Sequence, residues 1–156
     1  MRLTLHTDYS LRVLIHTGVA DGKLITINDI AKTFDISKQH LMKVVNNLSQ
    51  KGYLDTVRGR GGGLRLSRPP RDINVGEVVR DTEETLAVVG CLEQRGYCPI
   101  QRVCGLRGAL DEATQAFLAV LDGYTLADLI KPRRALSSLL LLDQQAVRSA
   151  TLSAGT

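Results

Sequence analysis

The sequence is poor in aromatic residues, with four Tyr, two Phe and no Trp among 156 residues. Modules that read single-stranded RNA stack its bases on aromatic side chains, so this composition disfavours that class. Long hydrophobic runs are also missing: the most apolar stretch, residues 139–142, is far shorter than the roughly 20 residues that span a bilayer. The N-terminus has no unbroken apolar core of the kind found in signal peptides. We therefore expect a soluble, cytoplasmic protein.

The chain also lacks the features of most enzymes. A length of 156 residues suits about one domain and is short for a two-domain cofactor enzyme. No nucleophile-elbow motif is present. A thiol-dependent transferase using Cys98 would lack a convincing base, so we expect no enzymatic activity.

Positive charge is concentrated in the first half. Residues 1–80 contain 13 Lys and Arg against seven acidic residues, a net charge of +6, whereas residues 81–156 carry −2. Between residues 38 and 71, eight basic side chains accompany a single acid, Asp55. Such a stripe is typical of a protein that binds a polyanion, although a solvated charged surface would have the same composition.

Helix signals in the first half are followed by a hairpin signal. Candidate N-caps of three successive helices are Thr7, Thr26 and Ser37. Gly52 is a stop signal for the third helix. Two β-rich segments, residues 53–58 and 64–67, flank the turn GRGGG. This order predicts a winged helix-turn-helix over residues 1–82, in a fold that is mainly α with a small β-wing.

The second half predicts further helices around an irregular segment. Asn74 and Glu77 predict a capping box for a helix that ends near residue 81 and packs on the wing. We assign residues 83–105 to a cysteine-bearing loop and residues 106–142 to a dimerisation helix with a C-terminal helical segment. Residues 143–156 are polar and small, and are predicted to be a disordered tail.

A long helix is predicted over residues 103–121. Its apolar residues are spaced by three and four, which is typical of a coiled-coil seam. They are Leu106, Leu110, Ala113, Phe117 and Leu121. Thr125 and Asp128 predict a last short helix that ends before Pro132.

The third predicted helix begins with side chains that can contact double-stranded DNA. In a winged helix-turn-helix, the N-terminal residues of this helix face base edges in the major groove. The candidates are Ser37, Lys38, Gln39, His40 and Lys43. Arg58 and Arg60 of the predicted wing could lie in the minor groove or along the phosphates. A phosphate-binding Walker loop is disfavoured, because GRGGG leads into a strand instead of a helix.

Three cysteines, Cys91, Cys98 and Cys104, fall within 14 residues. An odd number does not fit a disulfide framework. Inert thiols and a zinc site remain alternatives, but the loop is polar and has no C-x2-C pair. An iron–sulfur cluster prefers thiolates and tolerates variable spacing. Nearby arginines (Arg95, Arg102 and Arg107) and the helix start at Cys104 favour such an anionic group.

Four segments together resemble the winged-helix iron–sulfur repressors of the NsrR, IscR and RirA kind. They are the opening MRLTLHTDYSLRVL, the wing RGRGGGLRLS, the three-cysteine loop and the segment YTLADLI. The resemblance covers about residues 1–142. It implies a homodimer joined through the long helix, with one iron–sulfur cluster per subunit. A 4Fe–4S cluster is the first expectation and 2Fe–2S the alternative.

The resemblance also bears on the fourth cluster ligand. IscR-like members have a histidine three residues after the last cysteine, where this chain has Arg107. The NsrR-like branch implies that Asp8 of the partner subunit's first helix completes the site, and Arg12 is placed to orient that carboxylate. Asp8 could instead simply satisfy the helix dipole. His6 and His16 are competing donors with less support.

The resemblance implies a repressor that senses nitric oxide. An aspartate oxygen is a harder, weaker partner for cluster iron than a thiolate. Our hypothesis is that nitrosylation breaks the Asp8 link, shifts the two recognition helices and releases operator DNA. Alternatives are a sensor of iron or cluster status, as in the RirA and IscR kinds, and a clusterless DNA-binding protein that uses its thiols for zinc or disulfide sensing.

Overall fold

A computed structural model describes residues 2–90, 92 and 98–140 of the chain. The first half contains α1 (Leu5–Val19), α2 (Ile27–Phe34), α3 (Lys38–Gln50), β1 (Leu54–Val57) and β2 (Gly63–Leu66). A 3-10 turn (Pro70–Asp72) leads to α4 (Val75–Thr82), α5 (Gly105–Asp122), α6 (Leu126–Leu129) and α7 (Arg133–Leu139). The fold is mainly helical with a small antiparallel sheet, which confirms the predicted fold class.

Side-chain caps fix the starts of the first three helices. The cap of α1 is Thr4, whose Oγ1 accepts from the Thr7 N–H at 3.2 Å, so the prediction of Thr7 was wrong. Thr7 already lies inside the first turn of α1. Its backbone N–H is one of the unpaired donors at the helix start, and the side chain of the cap residue satisfies it. The predicted caps Thr26 and Ser37 are confirmed, and Asp29 completes a capping box with Thr26.

The wing is a two-stranded hairpin joined to the helical part by a third segment. Leu54 pairs with Leu66, and Val57 pairs with Gly63. Ile25, just before α2, exchanges hydrogen bonds with Leu64 at 3.0 and 2.8 Å. At the tip, Gly59 has a φ of +97°, a conformation that side chains disfavour.

The core lies between α1, α3 and the wing. Its largest members include Leu14 of α1, Leu41 and Leu48 of α3, and Tyr53, which precedes β1. Tyr53 donates its hydroxyl hydrogen bond to the Asp81 carboxylate of α4 at 2.7 Å. Burial, followed by this hydrogen bond, raises the pKa of the Tyr53 phenol. The start of the wing and the end of α4 are thereby joined.

Helix α4 packs mainly against α1 and α5. The prediction that α4 packs on the wing was therefore wrong, since α1 and α5 are its main partners. Its buried residues include Val75, Val78 and Val79, the apolar stripe that a helix packs against its neighbours. Helix α7 was not predicted as a separate element.

Helix α5 is the longest helix, and Cys104 is its N-cap residue. Against the rest of the chain it buries Thr114 and Leu118. The predicted seam lies beside this contact and stays exposed or half-buried, with Leu106 66% exposed. No helix in the described ranges is long and apolar enough to cross a membrane.

Candidate functional site

The first turn of α3 presents a group of polar side chains to solvent. Leu41, Val44 and Val45 bury the opposite face of the helix in the core, which directs its polar residues outward. Those exposed residues are the predicted DNA contacts Ser37, Lys38, Gln39, His40 and Lys43. The structure therefore places all five on one accessible helix end.

Arg58 and Arg60 are exposed at the wing tip. Neither forms an ion pair within the part of the chain that the structure describes, whereas Arg65 on β2 pairs with Asp55 at 3.5 Å. Lys38 and Lys43 also lack an acidic partner among these residues. Uncompensated cations at a recognition helix and a wing are suited to phosphate contacts.

Asp8 and Arg12 form a bidentate ion pair one turn apart on α1. The Arg12 Nη2–Asp8 Oδ2 distance is 2.9 Å, and Arg12 Nε donates to Oδ1 at 3.1 Å. Arg12 also lies over the Phe34 ring, 5.7 Å from its centroid. The Asp8 carboxylate is thus held in a fixed direction while remaining 41% exposed. The role predicted for Arg12 beside a cluster ligand stays a prediction.

The N-terminal end of α1 and its cap touch two other parts of the molecule. The Tyr9 ring packs edge-on against the His40 ring, with centroids 5.9 Å apart. The backbone N–H of Thr4 donates to the Glu83 carboxylate at 2.7 Å, where the segment leading to the cysteines begins. Sequence reasoning missed Tyr9, although its spacing of four from core residue Val13 could have indicated an inward position.

Two of the three cysteines lie in the described residues. Cys98 and Cys104 are free, half-buried thiols, and the carbonyl of Cys98 accepts from the Gln101 N–H at 3.1 Å. Cys104 makes no side-chain capping hydrogen bond at the start of α5. Cys91 and Arg95 lie outside the described residues, so the three-cysteine site stays a prediction.

A cavity of about 510 Å³ borders Cys104. Leu86, Leu92, Arg102 and Arg107 are among its lining residues. Within the described ranges, no three His, Cys, Asp or Glu side chains gather into a metal site. The donors that are described nevertheless suit an iron–sulfur cluster, because the thiols are uncommitted and the neighbouring arginines favour an anionic group.

His16 is fully buried in the core. Its ring lies edge-on to Phe34 at 5.9 Å, and neither ring nitrogen has a hydrogen-bond partner among the described residues. Burial lowers the pKa of His16, and the nearby Asp29 carboxylate opposes that shift. His16 is therefore a core residue in this chain, which removes it as a competing donor to a surface cluster.

Comparison with known proteins places this geometry in a family. The family model named Rrf2, described as an iron-dependent transcriptional regulator, matches residues 3–132. The HTH-type transcriptional regulator NsrR of Bacillus subtilis is 51% identical over 146 residues, 92% of this chain and 100% of that protein. NsrR of Geobacillus kaustophilus is 51% identical over 142 residues, 90% of this chain and 97% of that protein.

Solved structures have the same fold. A transcriptional regulator from Listeria innocua superposes with a TM-score of 0.71 at 25% identity, covering 84% of this chain and 87% of that one. CymR, the global cysteine regulator of Bacillus subtilis, superposes with a TM-score of 0.63 at 26% identity, covering 83% and 95%. T. potens IscR, at 24% identity, has a TM-score of 0.64, covering 85% and 88%, and supports the fold alone.

Proposed function

Because this chain belongs to the Rrf2 family of transcriptional regulators, we propose that it is a homodimeric DNA-binding repressor that senses nitric oxide through an iron–sulfur cluster. The observation that carries the proposal is the first turn of α1. There, an exposed carboxylate is held in a fixed direction by Arg12, and the next residue, Tyr9, contacts the DNA-reading end of α3. A ligand bound at this turn would be next to the element that reads DNA.

The proposed ligand set is Cys91, Cys98 and Cys104 of one subunit with Asp8 of its partner. A cluster held by these groups, with 4Fe–4S as the first expectation and 2Fe–2S as the alternative, would supply iron that is open to nitric oxide at its oxygen-ligated corner. Arg12 keeps both Asp8 oxygens directed along one side of α1. The carboxylate is thereby held in one direction while it stays 41% exposed, so that iron bound by another subunit can reach it.

The proposed DNA surface consists of the exposed start of α3 and the wing tip. Gln39 can make a bidentate contact with adenine, whereas Lys38, Lys43, Arg58 and Arg60 suit phosphates or a narrow minor groove. Two half-sites must match the spacing of two recognition helices in a dimer. A rearrangement at α1 would therefore weaken operator binding, and the resemblance implies that genes for nitric oxide detoxification are then expressed.

The test uses full-length protein purified without oxygen and a DNA duplex that the wild type selects from random sequence. We expect a brown, iron-containing protein whose DNA affinity falls when nitric oxide is added. An Asp8→Ala variant should retain iron but show a changed absorption spectrum and nitric oxide response. Asp72→Ala removes an exposed acid near the wing and should behave like the wild type. Unchanged affinity after nitric oxide has bleached the cluster would refute the proposal.

A second candidate is a regulator that senses iron or cluster supply. The description of the matching family model as iron-dependent favours it. The two functions differ in their trigger. Loss of DNA binding on mild iron chelation, without nitric oxide, would identify the second function, whereas resistance to chelation together with sensitivity to nitric oxide would identify the first.

A further inference from the structure

The first turn of α1 lies between the cysteine-bearing segment and the recognition helix. On one side, Glu83 accepts hydrogen bonds from the backbone N–H and the hydroxyl of Thr4, at 2.7 and 3.1 Å. On the other, Tyr9 packs against His40. Asp8 lies between these two contacts along the chain. The N-terminal end of α1, from its cap Thr4 to Tyr9, therefore contacts both the start of the cysteine-bearing segment and the start of α3.

We propose that Tyr9 is a positioning residue that holds His40, and with it the DNA-reading end of α3, in a placement set by the Asp8 end of α1. This inference rests on the proposed function. It extends that function by assigning a route from the carboxylate at residue 8 to the DNA surface.

The contact geometry supports this role. The Tyr9 and His40 rings meet at 61° with centroids 5.9 Å apart, within the range in which edge-on aromatic pairs attract each other. Tyr9 is half-buried, whereas His40 is exposed. The tyrosine ring is packed against the hydrophobic core, so the exposed histidine ring takes its position from the tyrosine.

Helix α1 can transmit a displacement because its far side is anchored. Val13 and Leu14 are completely buried in the core, and interiors packed at protein density transmit strain instead of absorbing it. Asp8 and Tyr9 are consecutive residues in the hydrogen-bonded helix, so a shift of one carries the other. Releasing or holding Asp8 would accordingly change where the His40 ring lies.

The experiment compares Tyr9→Leu, which removes the ring, with Tyr9→Phe, which keeps it. The measured quantity is the affinity of cluster-loaded and cluster-free full-length protein for the selected DNA duplex. We expect Tyr9→Leu to weaken binding by the loaded protein about threefold to tenfold, the scale of one aromatic contact. The ratio of loaded to cluster-free affinity should also move toward one. Tyr9→Phe should preserve both quantities.

A double-mutant cycle with His40 separates positioning from general damage. In a His40→Ala background, Tyr9→Leu should cause no further loss of DNA affinity, because the contact is already absent. Iron content and visible absorption should match the wild type in every variant. His40→Ala breaks the contact from its exposed side and tests the route even if Tyr9→Leu does not fold. Because His40 is itself a proposed DNA contact, the readout for this variant is the ratio of loaded to cluster-free affinity, which should move toward one; an unchanged ratio would contradict the route.

Each remaining outcome has a distinct meaning. A wild type with cluster-dependent affinity, together with a Tyr9→Leu variant of unchanged affinity and ratio, would overturn the inference alone. Additive losses in the double mutant would also overturn it. A wild type whose DNA affinity does not depend on its cluster would overturn the proposed function as well.

Discussion

At the scale of single residues, His16 has an unusual environment. Its imidazole is enclosed by the core of the DNA-binding unit, and neither Nδ1 nor Nε2 has a hydrogen-bond partner in the described part of the chain. Burial lowers its pKa below the usual 6.5, against the smaller opposing effect of Asp29. The folded protein therefore binds a proton at this site less readily than the unfolded chain does.

This difference predicts acid sensitivity. The contribution of neutral His16 to the free energy of unfolding is complete above the unfolded pKa of 6.5 and is lost as the pH falls below it. The limiting slope is about 1.4 kcal/mol per pH unit for one proton. Denaturant unfolding of the wild type and the His16→Leu variant between pH 7.5 and pH 5 measures this change in the free energy of unfolding. The variant should lose less stability than the wild type over this range, and equal losses would contradict the prediction.

At the scale of elements, a compact ion pair joins α4 to the end of α5. Arg80 donates to both carboxylate oxygens of Asp122 at 2.6 and 2.7 Å. The Arg80 guanidinium lowers the pKa of Asp122, and Asn74 donates to the Asp122 carbonyl at 2.7 Å. Gly76 makes this arrangement possible, because a Cβ at that position would overlap the Asp122 carboxylate. These contacts hold the C-terminal end of α5 against α4.

The Gly76–Asp122 contact predicts that Gly76→Ala changes the melting temperature in opposite directions with and without the Asp122 carboxylate. Gly76→Ala should lower the melting temperature of the wild type, because the new methyl group displaces the carboxylate from Arg80. In an Asp122→Ala background the overlap with the carboxylate is gone, and Arg80, no longer held by that carboxylate, can move away from the new methyl group. The same substitution should then raise the melting temperature, because it stabilises the fold by up to about 1 kcal/mol, the preference for Ala over Gly inside a helix. Thermal unfolding of the four proteins tests this, and a loss of stability in both backgrounds would refute it.

The elements differ in how far the sequence could predict them. The caps at Thr26, Ser37 and Asn74 were predictable because each depends on a side chain and a backbone N–H two or three residues away. Thr4 was missed in favour of Thr7, since both threonines precede an apolar pattern and only the backbone decides between them. The main partners of α4 depend on contacts between distant segments, which no local pattern contains.

The candidate site likewise combines local features that the sequence could predict with contacts between distant segments that it could not. The exposure of the α3 start followed from helical periodicity, and the Asp8–Arg12 pair followed from a spacing of four. Tyr9–His40 and Thr4–Glu83 join residues 31 and 79 positions apart. Such contacts depend on how α1 packs in three dimensions, so they could be found only in the structure.

At the scale of the whole molecule, α5 has more apolar surface than one subunit covers. The single chain buries only Thr114 and Leu118 of this helix, whereas Leu106 and Val120 are 66% and 62% exposed. The neighbouring seam residues are half-buried; they are Leu110, Phe117 and Leu121. A contiguous exposed apolar stripe usually marks a protein interface, and a stripe with this spacing suits the same helix of a second copy.

The last prediction concerns this stripe. Ala113→Glu places a charge in the exposed seam and should convert the proposed dimer to monomer, because a buried charge without a partner opposes association. Ala119→Glu adds the same charge on the opposite side of the helix from the middle of the seam and should leave the dimer intact. Sedimentation equilibrium at several protein concentrations measures the two states.

The monomeric variant should also bind the selected DNA duplex weakly, since it contacts one half-site at a time and loses the effective concentration that the second subunit provides. A dimeric Ala113→Glu protein, or equal effects of the two substitutions, would place the subunit interface elsewhere.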